Sequence, residues 1–416
     1  MKKTLWTKNF TIITLGTIIS SIGGVAMNLA FGLVVFDQTA STWLSSSLIA
    51  ITYIPSILLP VLIAPYVDHC DKRKVIVALD YICGILYLLF QFYLRGFAFS
   101  YEMYLLFGFI TSSIGTVYNL TYTAFYPDLI PEGLAQKGYT ISSMIYPTVT
   151  ALITPVAAVL YVRAGIETIM LIEGILLLLA ASFELLIKPP YEKNEYSETK
   201  TEKKTLSENL IAYRNDLLEG FRYLKKEKGL RNLYYYSAVT NGAAQGISTM
   251  IMAAFQSSPL LTTTMYSLLI SAETVGRMIG GVIHYFIKIP AKMKYKITKS
   301  VYKIYEICDM ALLFLPYPVM LVLRFLCGFL GINTATIREA AVQNYIPANV
   351  RGRVNAIIST MIYLYAMAAQ LVAGALGEIL PYKIVTLILA GTTFLCIYLF
   401  VVRNKKEISP LLNNVY

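Results

Sequence analysis

Apolar runs of roughly twenty residues alternate along the whole chain with short polar or charged turns. Twelve runs fall near residues 10–35, 44–67, 75–94, 101–125, 140–162, 166–187, 232–255, 265–287, 299–316, 318–340, 355–379 and 382–402. Each is long enough to cross a hydrocarbon core of about 30 Å as a helix. The sharpest boundary is Pro60-Val-Leu-Ile-Ala-Pro-Tyr-Val-Asp68-His-Cys-Asp71-Lys72-Arg73-Lys74, where an apolar run stops in a charged turn and the next starts at Val75. Such a turn fits two spanning helices joined by a tight basic loop on the cytoplasmic side. The expected fold class is an all-α membrane protein with twelve transmembrane helices.

The pattern repeats. Pro55 and Pro60 precede the first basic turn by the spacing at which Gly276 and Gly281 precede a second one, from Lys288 to Lys299. Ile130-Pro131, Lys137, Ile141 and Ser143 recur in register as Ile346-Pro347, Arg353, Ile357 and Ser359. An internal repeat in a polytopic chain predicts two pseudo-symmetric six-helix halves, the usual construction of a transporter. The halves are expected at 1–187 and 232–416, the second ending in a short cytoplasmic tail, with a linker at 188–231 between them. In that linker Leu206, Leu210, Tyr213, Leu217, Phe221 and Leu224 recur at spacings of three and four, as in an amphipathic helix lying on the membrane surface or under the bundle. A regulatory or partner-binding role is the alternative.

Composition agrees with the class. Of 416 residues, 56% are hydrophobic and 14% charged, more apolar surface than a soluble chain of this size can hide. The net charge of +11 does not imply nucleic acid, because the basic residues are sorted by loop. The predicted inner segments hold most of the 35 lysines and arginines, whereas the predicted outer loops hold Arg95, Arg163 and Lys383. That bias places both termini in the cytoplasm. Met1-Lys2-Lys3 before an apolar run resembles a signal peptide, but the run is too long for one and is expected to stay. The five cysteines form neither a disulfide framework nor a metal cluster, and two histidines leave little for metal or catalysis. No phosphate-cradling loop is present, so ATP drive within the chain is not expected. No enzyme activity, cofactor or metal is expected.

With these motifs in place, the sequence resembles the major facilitator superfamily. Asp68 matches the signature aspartate of the loop after helix 2, and Lys72, Arg73 and Lys74 match its basic cluster, while His69 replaces the usual arginine. Three stretches resemble the macrolide-efflux-like exporters within the family: Val67 to Lys74 with Asp80, Leu218 to Leu230, and Ile346 to Val354. The resemblance implies the major facilitator fold and a plasma-membrane transporter acting as a monomer. Asp68 would then latch the halves on the inner side through Lys72 and Arg73, the alternative being that these charges only set topology. Thr154-Pro155-Val-Ala-Ala158 keeps the proline of the helix 5 motif found in drug antiporters but lacks its glycines, which weakens the case for proton antiport.

Ionisable residues within spans are functional candidates by default. Asp80 is a coupling candidate or a structural partner for Arg73 or Lys74. Glu273 and Arg277, four apart, suit an intrahelical pair. Arg338 and Glu339 suit a cavity or gate. Of the two carboxylates that could carry a coupling proton, Glu273 and Glu339, the second is favoured because helix 10 is expected to line the cavity. Arg324 is expected to snorkel, Glu306 and Asp309 to serve packing or headgroup contacts, and Glu173 and Glu184 to be structural. The resemblance places helices 1, 4, 7 and 10 around a cavity. Their polar residues, Asn28, Tyr118, Asn119, Tyr122, Asn241, Gln245 and Asn333, are candidate solute contacts, each of which could equally join two helices.

The reading is a secondary active transporter that exports a small amphipathic solute or drug by alternating access, with protons as the candidate coupling ion. Membrane lipid and the solute are its expected partners. Uptake or facilitated diffusion is the alternative within transport. A lipid flippase, or a membrane sensor that moves nothing, is the alternative from another class.

Overall fold

The computed structural model describes residues 4–67, 70–188, 218–287 and 289–413. Asp68, His69 and most of the expected linker helix lie outside the described residues. The first four helices are α1 (Lys8–Thr39), α2 (Thr42–Val67), α3 (Lys72–Gly96) and α4 (Tyr101–Phe125). Ala135–Glu184 is hydrogen-bonded throughout but broken at Gly165, and its limbs before and after the break are α5 and α6. Then come α7 (Lys228–Ser257), α8 (Thr263–Phe286), α9 (Ala291–Ala311), α10 (Tyr317–Tyr345), α11 (Ala348–Ile379), α12 (Tyr382–Cys396) and a short α13 (Lys405–Asn413). The all-helical, twelve-span architecture expected from the apolar runs is the one observed.

Local chemistry sets several helix ends. Asp71 caps α3 by accepting from the Lys74 amide at 3.2 Å, and Thr262 caps α8 from the Met265 amide at 3.2 Å. Four helices of the second half, α9 to α12, start directly after Pro290, Pro316, Pro347 and Pro381. Proline has no N–H to leave unpaired there and cannot continue a preceding helix. Gly165 has φ 72 and ψ 175, a conformation that glycine adopts without a side-chain clash, so α5 turns into α6 at this residue.

Among the described residues, eight helical segments are long and apolar enough to cross a membrane, and one of them carries both α5 and α6. Helices α7, α8 and α9 fall short of that apolarity; α8 and α9 carry the charged cluster described below. Large apolar side chains such as Leu89, Phe92, Ile379 and Leu395 are exposed, as a lipid-facing surface requires.

The helices group into two compact units: the described residues of Met1–Val34 and Ile54–Ile211, and those of Val35–Tyr53 and Ala212–Tyr416. In the first, Phe10, Ile13, Ile76, Phe125, Tyr126 and Ile187 form an apolar core. In the second, Leu233, Tyr236, Tyr302, Val354, Val401 and Leu412 belong to a larger one that includes α13. The helix at 218–226 joins it through Leu224. The α1–α2 corner belongs to the second unit, where Glu378 Oε1 accepts from the Ser41 hydroxyl at 2.7 Å and the Trp43 amide at 2.8 Å, and the Thr42 hydroxyl donates to the Gly374 carbonyl at 2.9 Å.

One close approach positions the site. A methyl group on Gly328 of α10 would strike the Glu273 carbonyl of α8, and one on Gly276 would strike the Phe325 carbonyl. Small residues let the two backbones touch, as in other membrane helix pairs. Arg324, one turn from Gly328, is thereby brought against Glu273.

Candidate solute and coupling site

In the first unit, the expected cavity residues divide. Asn28 and Asn119 are exposed. Tyr118 and Tyr122 stack with ring centroids 5.9 Å apart and are each tied to another helix. The Tyr118 hydroxyl lies 3.4 Å from Glu184 Oε1 on α6, and the Tyr122 hydroxyl lies 3.0 Å from Thr17 Oγ1 on α1. These phenols join helices as well as lining a surface.

The basic turn holds its neighbours in place. Lys72 Nζ donates to the Ala124 carbonyl at 3.2 Å and lies 3.5 Å from Asp128. Arg73 donates to the Ile187 carbonyl at 2.7 Å, and Lys74 pairs with Asp71 at 3.6 Å. Asp80 is buried, and the expectation that Arg73 or Lys74 pairs with it is corrected: both bases are engaged elsewhere. The helix turns Asp80 toward the bundle and away from the surface. Glu173 and Glu184 of α6 are buried as well, and each of the three carboxyls has one oxygen without a hydrogen-bond partner among the described residues. Gly23 and Gly16 of α1 face Glu173 and Glu184. Those glycines were the legible signal for the two carboxyls.

In the second unit, Asn241 is exposed and folds back on α7, donating to the Ser237 carbonyl at 2.7 Å. Asn333 Oδ1 lies 2.8 Å from His284 Nδ1, a link between α10 and α8. Arg338 and Glu339 pair at 3.3 Å, with the glutamate half-exposed. Glu273 and Arg277 do pair along α8 at 2.5 Å, as their spacing suggests. The pair is part of something larger. Arg324 Nη1 stands 3.3 Å from Glu273 Oε2 and 3.1 Å from Asp309 Oδ1, and the Tyr305 hydroxyl donates to Glu273 Oε1 at 3.0 Å.

Two expectations therefore change. Arg324 is buried among two carboxylates and does not snorkel, and Asp309 is its partner rather than a headgroup contact. Glu306 is likewise buried, accepting a hydrogen bond from Thr393 of α12. A cavity of about 200 Å³ opens beside the cluster. Gln245, Ser248, Tyr266, Glu273 and Arg277 line it with Ile247, Ile251, Leu269 and Ile270. Polar and apolar groups thus share the lining, and a few placed polar groups are what orient a ligand in a small-molecule site.

The sequence model of the Major Facilitator Superfamily matches residues 13–292 and 306–413, most of the chain. The chain belongs to the major facilitator superfamily. Among solved structures, this major facilitator protein is similar to the nucleoside transporter NupG (TM-score 0.68, 15% identity, 96% of this chain and 100% of that one). It is also similar to a bacterial homologue of the iron transporter ferroportin in the inward-facing state (0.67, 14%, 98% and 100%) and to a peptide transporter POT in complex with alafosfalin (0.68, 10%, 99% and 97%). At these identities the likeness is one of fold. Among curated protein sequences none is detectably similar. As a major facilitator transporter, the protein is a multi-pass membrane protein of a family that moves small-molecule solutes.

Of the expected site residues, the structure brings together Gln245, Glu273 and Arg277, and it leaves Asn333, Arg338 and Glu339 outside the cavity wall. Ser248, Tyr266, Tyr305, Asp309 and Arg324 complete the site. For Asp309 and Arg324 the signal was the charge itself: each ionisable group within a span needs a partner, and the partners had to be sought among one another. Ser248, Tyr266 and Tyr305 carry no such signal.

Proposed function

We propose that this transporter is a secondary active exporter of a small amphipathic solute, working by alternating access and driven by proton exchange. It acts as a monomer in the plasma membrane with both termini in the cytoplasm. The observation that carries the reading is the cavity lined by both apolar residues and Glu273, a carboxylate held between two guanidinium groups. A solute at that wall and a proton on that carboxylate would act on the same arrangement of charges, so each would change the binding of the other, which is the elementary requirement for coupling. Glu273 is preferred as the coupling group over Glu339, which pairs with its sequence neighbour Arg338 at a half-exposed position.

Export rather than uptake rests on the resemblance of Val67 to Lys74, Leu218 to Leu230 and Ile346 to Val354 to the macrolide-efflux-like branch. Asp68 with Lys72 and Arg73 would form the inner latch, Asp80 a further coupling group, and Gln245, with Asn28 and Asn119 of the first unit, would offer amides to the solute. The test is uptake into inside-out vesicles across a solute panel, with and without a pH gradient. Accumulation that requires the gradient supports proton-driven export; accumulation only in right-side-out vesicles reverses the direction, and flux indifferent to pH removes proton coupling.

A further inference from the structure

We propose that the cavity of the second unit binds a small organic anion, a carboxylate carried on an apolar body about the size of one ring, with Arg277 as its principal ligand. This deepens the transport reading by naming a substrate class for the same cavity, and it concerns binding rather than direction.

Four charges meet at the cavity, and they are unequally open. The side chains of Asp309, Arg324 and Glu273 are 4%, 9% and 18% exposed, whereas that of Arg277 is 54% exposed. Both oxygens of Glu273 are already used, Oε1 by Arg277 and Tyr305 and Oε2 by Arg324. An incoming cation would therefore find its natural counter-charge enclosed and saturated. An incoming anion finds a guanidinium that spends Nη2 on Glu273 and has a fork of five donors in all. Planar, bidentate recognition of carboxylate is what that fork does best.

Arg324 makes the capture feasible. If Arg277 turns part of its fork to a ligand, Glu273 keeps Arg324 and Tyr305, so no buried charge is left alone. Other lining residues, on α7 and on α8 itself, supply the rest of the recognition. Ser248 and Tyr266, hydroxyls 3.2 Å apart, and Gln245 offer neutral hydrogen bonds, while Ile247, Ile251 and Leu269 offer apolar contact. A cavity of about 200 Å³ suits a single ring with a small substituent, since a dry cavity of about 150 Å³ already holds benzene.

The test uses the purified full-length protein and three probes of one shape: benzoate, methyl benzoate and benzylamine. Titration calorimetry should show benzoate binding the wild type, with the ester at least about tenfold weaker and benzylamine without measurable binding, because a hydrogen bond to a charged group is lost. Arg277→Gln should weaken benzoate by about tenfold or more, and Arg277→Lys should restore part of it. The proposal is overturned by a wild type that does not bind benzoate, by ester or amine binding as tightly as the acid, or by undiminished binding to Arg277→Gln. The acid–ester comparison needs no variant, so it stands even if Arg277→Gln fails to fold. Benzoate bound but not moved in vesicles would sink the export reading and leave the anion site intact.

Discussion

Arg324 reaches from α10 to within 3.3 Å of Glu273 on α8, and the same nitrogen lies 3.1 Å from Asp309 on α9. One guanidinium therefore ties three helices together. Arg324→Gln is expected to lower stability by about 3–5 kcal/mol, the usual consequence of stranding a buried partner. Arg277→Gln should lower it much less, because Glu273 keeps Arg324. Thermal unfolding of the two variants in detergent checks the order; a larger loss for Arg277→Gln would refute it.

The coupling assignment predicts a split between two carboxylates. Glu273→Gln should abolish flux driven by a pH gradient while solute exchange across the membrane continues. Glu339→Gln should leave gradient-driven flux near the wild-type level. Vesicle assays with and without a gradient measure both, and gradient-driven flux surviving in Glu273→Gln would move the coupling group elsewhere.

The three buried carboxyls of the first unit differ from Glu273 and Asp309 of the second, which face Arg324. No cation pairs with Glu173 among the described residues, and burying an ionised carboxylate alone is prohibitive. Glu173→Gln, an uncharged isostere, should therefore cost no more than about 1 kcal/mol, the scale of one neutral hydrogen bond. Gly23→Leu should be far worse, since its side chain would occupy the space of Glu173. Melting curves for the pair decide it; a severe loss in Glu173→Gln would mean that its charge is in use.

Fold and site were legible to different depths. Apolar runs and turns placed every span, including the division near residue 165, because a membrane forces each helix to declare its length and composition. Charge clusters were harder to read. Glu273 and Arg277 share one helix, so their spacing disclosed the pair. Arg324 and Asp309 lie on other helices: the close contact at Gly328 brings Arg324 to Glu273, and Asp309 meets the cluster through Arg324. Asp80 misled for the opposite reason: bases adjacent in sequence suggested a partner, but the helix points it elsewhere. Sequence distance is a poor guide to contact wherever helices cross.

A fourth expectation concerns the α1–α2 corner. Glu378 Oε1 accepts from Ser41 and Trp43, closing the start of α2. Glu378→Ala should cost about 1 kcal/mol, as the loss of a helix cap does. Trp43 and Trp6 are the two tryptophans, so in a Trp6→Phe background the emission of Trp43 reports the corner directly. Unchanged emission and melting temperature in Glu378→Ala would show that the cap contributes nothing.

Gly165 gives α5 and α6 a join with no loop at all. Two spans that meet at one residue present nothing for an antibody to grip or a protease to enter. A peptide tag inserted there would have to unwind a helical turn before it could be displayed. Engineers seeking an accessible label on this protein should leave that bend alone and use a connection that already has slack, such as residues 258–262 between α7 and α8.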